Sequence, residues 1–263
     1  MSAVKFVINP GHGGTDPGAT GNGIREKDLN LPVALALGPL LTVRGFEVLY
    51  TRRLDVTMTL QSRSDIIVIN KADAAIDIHH NAFNGSARGT ETYRSAFNSK
   101  SRSLAEAVHL ELVKTFPEIP NRSVKTRLFP KRTDWDYYHM IREPHRQARI
   151  PVIITETGFI DNTQDAAIMK RADFVSRQAE ALAKGVCAYF GVTWEQNSTL
   201  QPAPVTTGPM PRVTRRIGIT VNGRMTDIPG YLINNVTYAP VSPIVEMVKG
   251  QVSAHGDHIR IVV

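Results

Sequence analysis

Four side chains suited to hydrolytic chemistry stand far apart in this 263-residue sequence, each at a similar place in its pattern. His12 follows an apolar run, Glu26 opens a helical segment, and His79 and Glu156 end two further apolar runs. Two imidazoles and a carboxylate are a sufficient ligand set for a catalytic zinc, with the fourth position open to water. The metal polarises a carbonyl and makes that water acidic. A second carboxylate must then take the proton and pass it to a leaving nitrogen. His12, Glu26, His79 and Glu156 together supply three ligands and one base, with no surplus.

Each residue also has a plainer reading. His12 alone suits a cap or a core position, and Glu26, among Arg25, Lys27 and Asp28, suits a solvated helix start. Glu156 is harder to dismiss, because a carboxylate after five mostly apolar residues is costly unless paired or metal-bound. His80 points to the face opposite His79, whereas Asp77 shares the His79 face and can support its ring. His139 and His145 are alternative ligands in irregular or charged surroundings.

The elements that must position these groups alternate in type. Residues 4–8 form a first strand, and Pro10-Gly11-His12-Gly13-Gly14 is the tight turn at its carboxyl end. A helix bearing Leu37, Leu40 and Leu41 follows, with Pro32 in its first turn and Gly45 as its stop. Strands are expected over 46–51, 73–79, 90–93 and 150–155, and helices from a Thr59 cap, over 104–112 and over 175–189. Residues 117–146, rich in Pro, Arg, Lys and aromatics, read as a long loop with a short helix. The pattern predicts an α/β fold, a mostly parallel sheet with helices on both faces. In such sheets ligands gather at the carboxyl ends of the strands, where distant residues converge.

This catalytic domain spans 1–194. Residues 195–212, with Pro202, Pro204, Pro209 and Pro211, form a semi-rigid linker. Residues 213–263 form a small α+β module, with strands over 217–221, 231–233 and 259–263, an Asn222-Gly223 turn and a helical turn or two at 242–248.

The formal net charge of +7 suits a polyanionic partner, while no motif indicates nucleic acid. The single cysteine, Cys187, excludes an internal disulfide and reads as a small core residue. No apolar run approaches the length of a membrane span, so no membrane insertion is expected. The N-terminus enters the first strand directly, which predicts a chain made in the cytoplasm without a signal peptide.

The motifs together resemble the zinc-dependent N-acetylmuramoyl-L-alanine amidases (the type 3 amidase domain). Pro10-Gly11-His12-Gly13-Gly14 with Asp16-Pro17-Gly18-Ala19 is similar to the start of that domain. Glu26-Lys27 matches its second ligand position, and Thr51-Arg52, Leu60 and Arg63 match its next landmarks. Ile78-His79-His80-Asn81-Ala82 resembles its Ser-Ile-His-x-Asn-Ala, and Glu156-Thr157-Gly158-Phe159-Ile160-Asp161-Asn162 its catalytic glutamate motif. The chain departs from the pattern at Asn9, usually Asp, at Asp77, usually Ser, and at Asn121-Arg122-Ser123, commonly Asn-Arg-Gly.

The resemblance covers about residues 4–190. It implies zinc held by His12, Glu26 and His79, with Glu156 as general base and then acid, and bacterial peptidoglycan as substrate. The bond would be the amide between the lactyl group of N-acetylmuramic acid and L-alanine of the stem peptide. A zinc peptidase of the stem and an inactive wall-binding protein are the rival readings. With no leader, the chain resembles a phage endolysin that reaches the wall after release at lysis. The last fifty residues resemble the small copper amine oxidase N-terminal-like domain, through Val221-Asn222-Gly223-Arg224, Tyr231-Leu232-Ile233-Asn234-Asn235 and Thr237-Tyr238-Ala239-Pro240-Val241. No copper-ligand cluster is visible there, His255 and His258 alone being weak evidence for one, and anionic wall polymers are the expected partners of that module.

Overall fold

A computed structural model describes residues 3–194 in full, and the strands at 215–221, 224–233, 236–238, 251–255 and 258–262 by their backbone. The chain divides into two compact units, Met1–Val205 and Thr206–Val263.

In the first unit β1 (Lys5–Pro10) runs into the glycine turn, and a small hairpin, β2 (Thr20–Gly21) and β3 (Ile24–Arg25), leads to α1 (Glu26–Thr42). Then come β4 (Glu47–Tyr50), α2 (Leu60–Ile69), β5 (Ala74–Asn81), β6 (Thr90–Arg94) and α3 (Ser99–Thr115). After β7 (Asn121–Lys125), β8 (Leu128–Phe129) and β9 (Arg132–Asp136) form a second hairpin, followed by α4 (His139–Ala148). The unit closes with β10 (Val152–Phe159), α5 (Thr163–Met169) and α6 (Phe174–Phe190).

Six strands make the central sheet in the order β4-β1-β5-β10-β6-β7. All neighbours are parallel except β10 and β6. Side chains alternate across the sheet, and the alternation decides what each face carries. Phe6, Ile8, Ile76, Ile78 and Ile153 join Leu37, Leu41, Leu104, Val108, Leu182 and Val186 in one sealed core beneath α1, α3 and α6. Val7, Ala75 and Ile154 point the other way and are buried too, on the side where α4 packs against α2 and β10. The mostly parallel sheet with helices around it is the predicted fold class.

Two expectations need correction. Pro32 is not in the first turn of α1: the helix begins at Glu26, and both Pro32 and Pro39 lie inside it. Glu26 N and Lys27 N are satisfied by Ala19 O and Pro17 O, which fixes the start ahead of the proline. Complete burial of Val33, Ala34, Leu37 and Leu41 offsets the ladder bond each proline removes. Residues 117–146 are not a long loop either: they contain β7, the β8–β9 hairpin and the start of α4. Exposed edge elements of this kind lack a core face, so no hydrophobic period marks them. The Thr59 cap is as expected, its side chain accepting from Ser62 N.

In the second unit, β11 (Arg215–Val221), β12 (Arg224–Ile233), β13 (Val236–Tyr238), β14 (Gln251–His255) and β15 (His258–Val262) form one sheet in the order β13-β12-β11-β15-β14. Only the β11–β15 pair is parallel. The expected linker, the Asn222-Gly223 turn and the helical turn at 242–248 lie outside the described residues.

Candidate active site

The site forms where β1, β5 and β10 end and α1 begins. Glu26, the first residue of α1, is buried at 3% exposure and is the centre of the cluster. One carboxylate oxygen, Oε2, lies 3.0 Å from His12 Nε2, and the other, Oε1, lies 2.7 Å from His79 Nδ1. Ala19 N donates to Oε2 and His80 N to Oε1. The candidate ligand atoms of His12, Glu26 and His79 all lie within 4.8 Å of one another.

Each imidazole is turned by an aspartate on its far nitrogen. His12 Nδ1 meets Asp16 Oδ2 at 2.8 Å, and His79 Nε2 meets Asp77 Oδ1 at 3.1 Å. A proton on the aspartate-facing nitrogen leaves a lone pair on the other, aimed at Glu26. Two lone pairs and a carboxylate converging at this separation fit a divalent metal such as zinc.

The turn carrying His12 is strained and heavily braced. His12 itself has φ 56°, a left-handed conformation that a non-glycine residue holds only when its surroundings force it. Arg52 donates to Pro10 O at 3.0 Å and Gly11 O at 2.8 Å, and Arg63 donates to Pro10 O at 2.7 Å and His12 O at 2.6 Å. Both guanidiniums are buried, and burial lowers Arg52 to about 10, still cationic at neutral pH. Gly11 is required by space: a Cβ there would stand 2.2 Å from the His79 ring. A Cβ on Gly18 would meet both Glu26 Oε2 and His12 Cδ2 at 2.6 Å.

Glu156 lies on β10 as the register partner of His79, on the same face. Its Oε2 is buried and has no hydrogen-bond partner. Burial, helped by the charges of Glu26, Asp77 and Glu91 and opposed by His79, pushes its carboxyl up to about 8. Glu26 shows the opposite balance: burial works against its charge, but the two imidazoles hold it far below the ordinary carboxyl range. His79 is raised well above an ordinary imidazole, because Asp77 and Glu26 outweigh its burial. The two carboxyls of one site are thus pushed in opposite directions, Glu26 towards the anion and Glu156 towards the protonated acid.

His80 packs on the helix side, between Asn30 Oδ1 at 2.8 Å and Gln178 Oε1 at 3.0 Å, and burial lowers it to about 4. It is outside the cluster, as its strand position predicts. His139 contacts Ser64 Oγ and His145 contacts Asn98, so neither joins the cluster. Sequence reasoning missed Glu91 on β6, the register partner of Glu156 on its other side. Tyr93 Oη donates to Glu91 at 2.7 Å, Lys125 Nζ lies 3.0 Å away, and Arg122 also bonds it. A carboxylate two residues before a tyrosine in a short strand was the available signal.

A His–Glu–His cluster beside a separate carboxylate, at the carboxyl edge of a parallel sheet, defines a hydrolase-type site. Residues 6–188 match the family model described as N-acetylmuramoyl-L-alanine amidase. The chain is 34% identical over 200 residues to the sporulation-specific N-acetylmuramoyl-L-alanine amidase of Bacillus subtilis, covering 75% of this chain and 72% of that protein. It is 34% identical over 180 residues to the endolysin of Bacillus phage SPP1, covering 68% of this chain and 63% of that one. Among solved structures, the catalytic domain of CwlV, an N-acetylmuramoyl-L-alanine amidase from Bacillus (Paenibacillus) polymyxa, superposes with a TM-score of 0.63 at 28% identity, covering 72% of this chain and 99% of that one. N-acetylmuramoyl-L-alanine amidase AmiC2 of Nostoc punctiforme gives a TM-score of 0.62 at 29% identity, covering 72% and 97%.

The chain belongs to the N-acetylmuramoyl-L-alanine amidase family. It is an enzyme of that class, and its substrate class is peptidoglycan.

Proposed function

We propose that the chain hydrolyses the lactyl–L-alanine amide of peptidoglycan with a zinc ion held by His12 Nε2, Glu26 and His79 Nδ1. One observation carries the reading: three candidate ligand atoms converge, the two imidazoles among them have their far nitrogens held by aspartates, and Glu156 stands on the next strand with an unpartnered buried oxygen. Zinc, when bound there, supplies Lewis-acid polarisation and an acidified water. Asp16 and Asp77 keep the two imidazoles in the ligand tautomer and stabilise positive charge on them. Glu156 accepts the proton of the attacking water and delivers it to the leaving L-alanine nitrogen. Its raised carboxyl suits both roles, because a carrier poised near neutrality can take and give a proton in one cycle.

The similarity to a phage endolysin supports a lytic role on the cell wall, reached after release from the cell in which the chain is made. We assign the catalytic domain to 1–194, a linker to 195–212 and a wall-binding module to 213–263, with anionic wall polymers as that module's partner.

Digestion of purified peptidoglycan with and without a chelator, read by mass spectrometry, tests the reaction. Newly freed L-alanine amino ends on intact glycan, lost on chelation and restored by zinc, are expected. Cleavage inside the stem peptide would make the enzyme a peptidase, and wall binding with no cleavage would leave only a binding protein.

A further inference from the structure

The sheet order gives the site a direction. His79 on β5, Glu156 on β10 and Glu91 on β6 lie side by side by register, and β7 follows as the edge strand. The metal-ligand cluster stands at one end of this row. If Glu156 protonates the leaving nitrogen, a premise that rests on the function proposed above, the amine fragment lies on the Glu156 side. It therefore extends away from the cluster, over β6 and β7.

What lies there is cationic and aromatic. Between residues 125 and 149 the chain has seven Lys or Arg against three Asp or Glu, an excess of four within a total of +7. A continuous contact path leads to it from Glu91. Tyr93, bonded to Glu91, has its ring 4.8 Å from Tyr138, and the Tyr138 and Tyr137 rings are 5.3 Å apart. Exposed Arg127 lies 3.9 Å over the Tyr137 ring and hydrogen-bonds Tyr138. Further out on the hairpin, Trp135 carries Arg132 at 4.0 Å and Arg146 at 4.3 Å from its ring centre. Three anions already meet part of this charge: Asp134 pairs with Arg132 at 2.9 Å, Glu143 with Arg142 at 2.9 Å and Arg146 at 3.6 Å, and Glu91 with Lys125 at 3.0 Å, while the Arg127 side chain has only aromatic partners among the described residues.

Guanidiniums laid on aromatic rings lose little freedom when they bind, and their N–H edges match a carboxylate in two-pronged geometry. The aromatic tips are exposed as well, Phe129 at 40% and Tyr137 at 37%, as expected of a surface that meets a peptide. We propose that the rim formed by Lys125, Arg127 and the β8–β9 hairpin binds the carboxylates of an acidic stem peptide as it leaves with the amine. The enzyme then prefers stems with free carboxylates over stems whose carboxyls are amidated.

Two matched N-acetylmuramoyl peptides, one with free stem carboxylates and one with carboxamides, test this on the full zinc-loaded chain. A KM about tenfold lower for the free-acid substrate is expected, the size of one charge-assisted contact. Arg127→Gln and Arg146→Gln should each raise KM for that substrate about fivefold or more, with kcat and melting temperature unmoved and the discrimination reduced. Calorimetric binding of the same two peptides to the Glu156→Gln chain provides a readout that needs no turnover. Failure to cleave either peptide while the free acid still binds more tightly would overturn the reaction but support the rim. Equal binding of the two peptides would overturn the rim whatever the activity. So would loss, in Arg127→Gln, of affinity for poly(glycerol phosphate) alone, since a phosphodiester polymer would then be the occupant.

Discussion

Asn9 on β1 donates its side-chain amide to the carboxylate of Asp77, its register partner on β5. These are two of the positions at which the chain departs from the Asp and Ser of the type 3 amidase pattern. The two departures compensate each other. The carboxylate has moved one strand across the sheet, to 3.1 Å from His79 Nε2, and Asn9 Oδ1 still accepts from Arg63 and Thr51. One negative group is kept between the arginine clamp and the imidazole, and its new place turns it into an orienting partner for His79.

Asp77→Asn should therefore weaken metal binding by about 10- to 100-fold with the fold intact, the usual cost of losing the group that orients a ligand histidine. Zinc competition with a chromophoric chelator measures it. The pair Asn9→Asp with Asp77→Ser should recover most of the activity that Asp77→Ser alone loses, and no recovery would refute the compensation.

Glu156→Gln should lower kcat by about 10²- to 10⁴-fold while zinc stoichiometry stays unchanged. The same variant has a stability signature in the metal-free protein. A carboxyl raised to about 8 keeps its proton in the folded state at pH values where the unfolded chain has released it. Stability therefore falls as pH rises from the unfolded pKa through the folded one, and Gln removes that loss. Chelated Glu156→Gln should melt higher than the chelated parent at pH 8.5, with the gap closing at pH 4. Equal melting at both pH values would show that the carboxyl is not raised.

Gly11→Ala should abolish metal binding, because its Cβ would stand 2.2 Å from the His79 ring and no rotamer of the new methyl avoids it. Metal analysis of the purified variant decides this, with circular dichroism to confirm the fold. Retention of one zinc per chain would mean that His79 can leave its place without leaving the site.

Arg63→Ala should cost about 3 kcal/mol of stability, since the side chain satisfies Pro10 O and His12 O inside the protein. Arg63→Lys should recover less than half, because an ammonium cannot span several carbonyl acceptors as a planar fork does. Denaturant unfolding of the zinc-free forms provides the numbers.

The site was legible in the sequence to the extent that its residues sit where strands stop. His12, His79 and Glu156 each follow an apolar run, and the parallel sheet brings such ends together whatever their separation in the chain. Glu26 was legible as a carboxylate at a helix start, but its place at the centre of the cluster was not: flanked by Arg25, Lys27 and Asp28, nothing local shows that it becomes a 3%-exposed group between two imidazoles. Arg52 and Arg63 could be placed as landmarks but not given a role, because their acceptors are backbone carbonyls, which have no sequence signature. Glu91 was missed because its importance comes from an antiparallel pairing with β10, a neighbour more than sixty residues away. The β8–β9 hairpin was hidden for another reason: two short strands that cover no core leave only turn-like composition to read.

The place of β10 in the sheet has a consequence for how the enzyme is made. Counted along the strands, it is the last of the six to leave the ribosome, yet it is inserted between β5 and β6, which are already complete. Until residue 159 has emerged, both of those strands offer open hydrogen-bonding edges to any passing chain. His12, Glu26 and His79 are all synthesised within the first 79 residues, so an incomplete chain can carry this cluster without Glu156. The strand that closes the gap is the one that delivers Glu156. Closing the sheet and bringing Glu156 beside His79 are therefore one event.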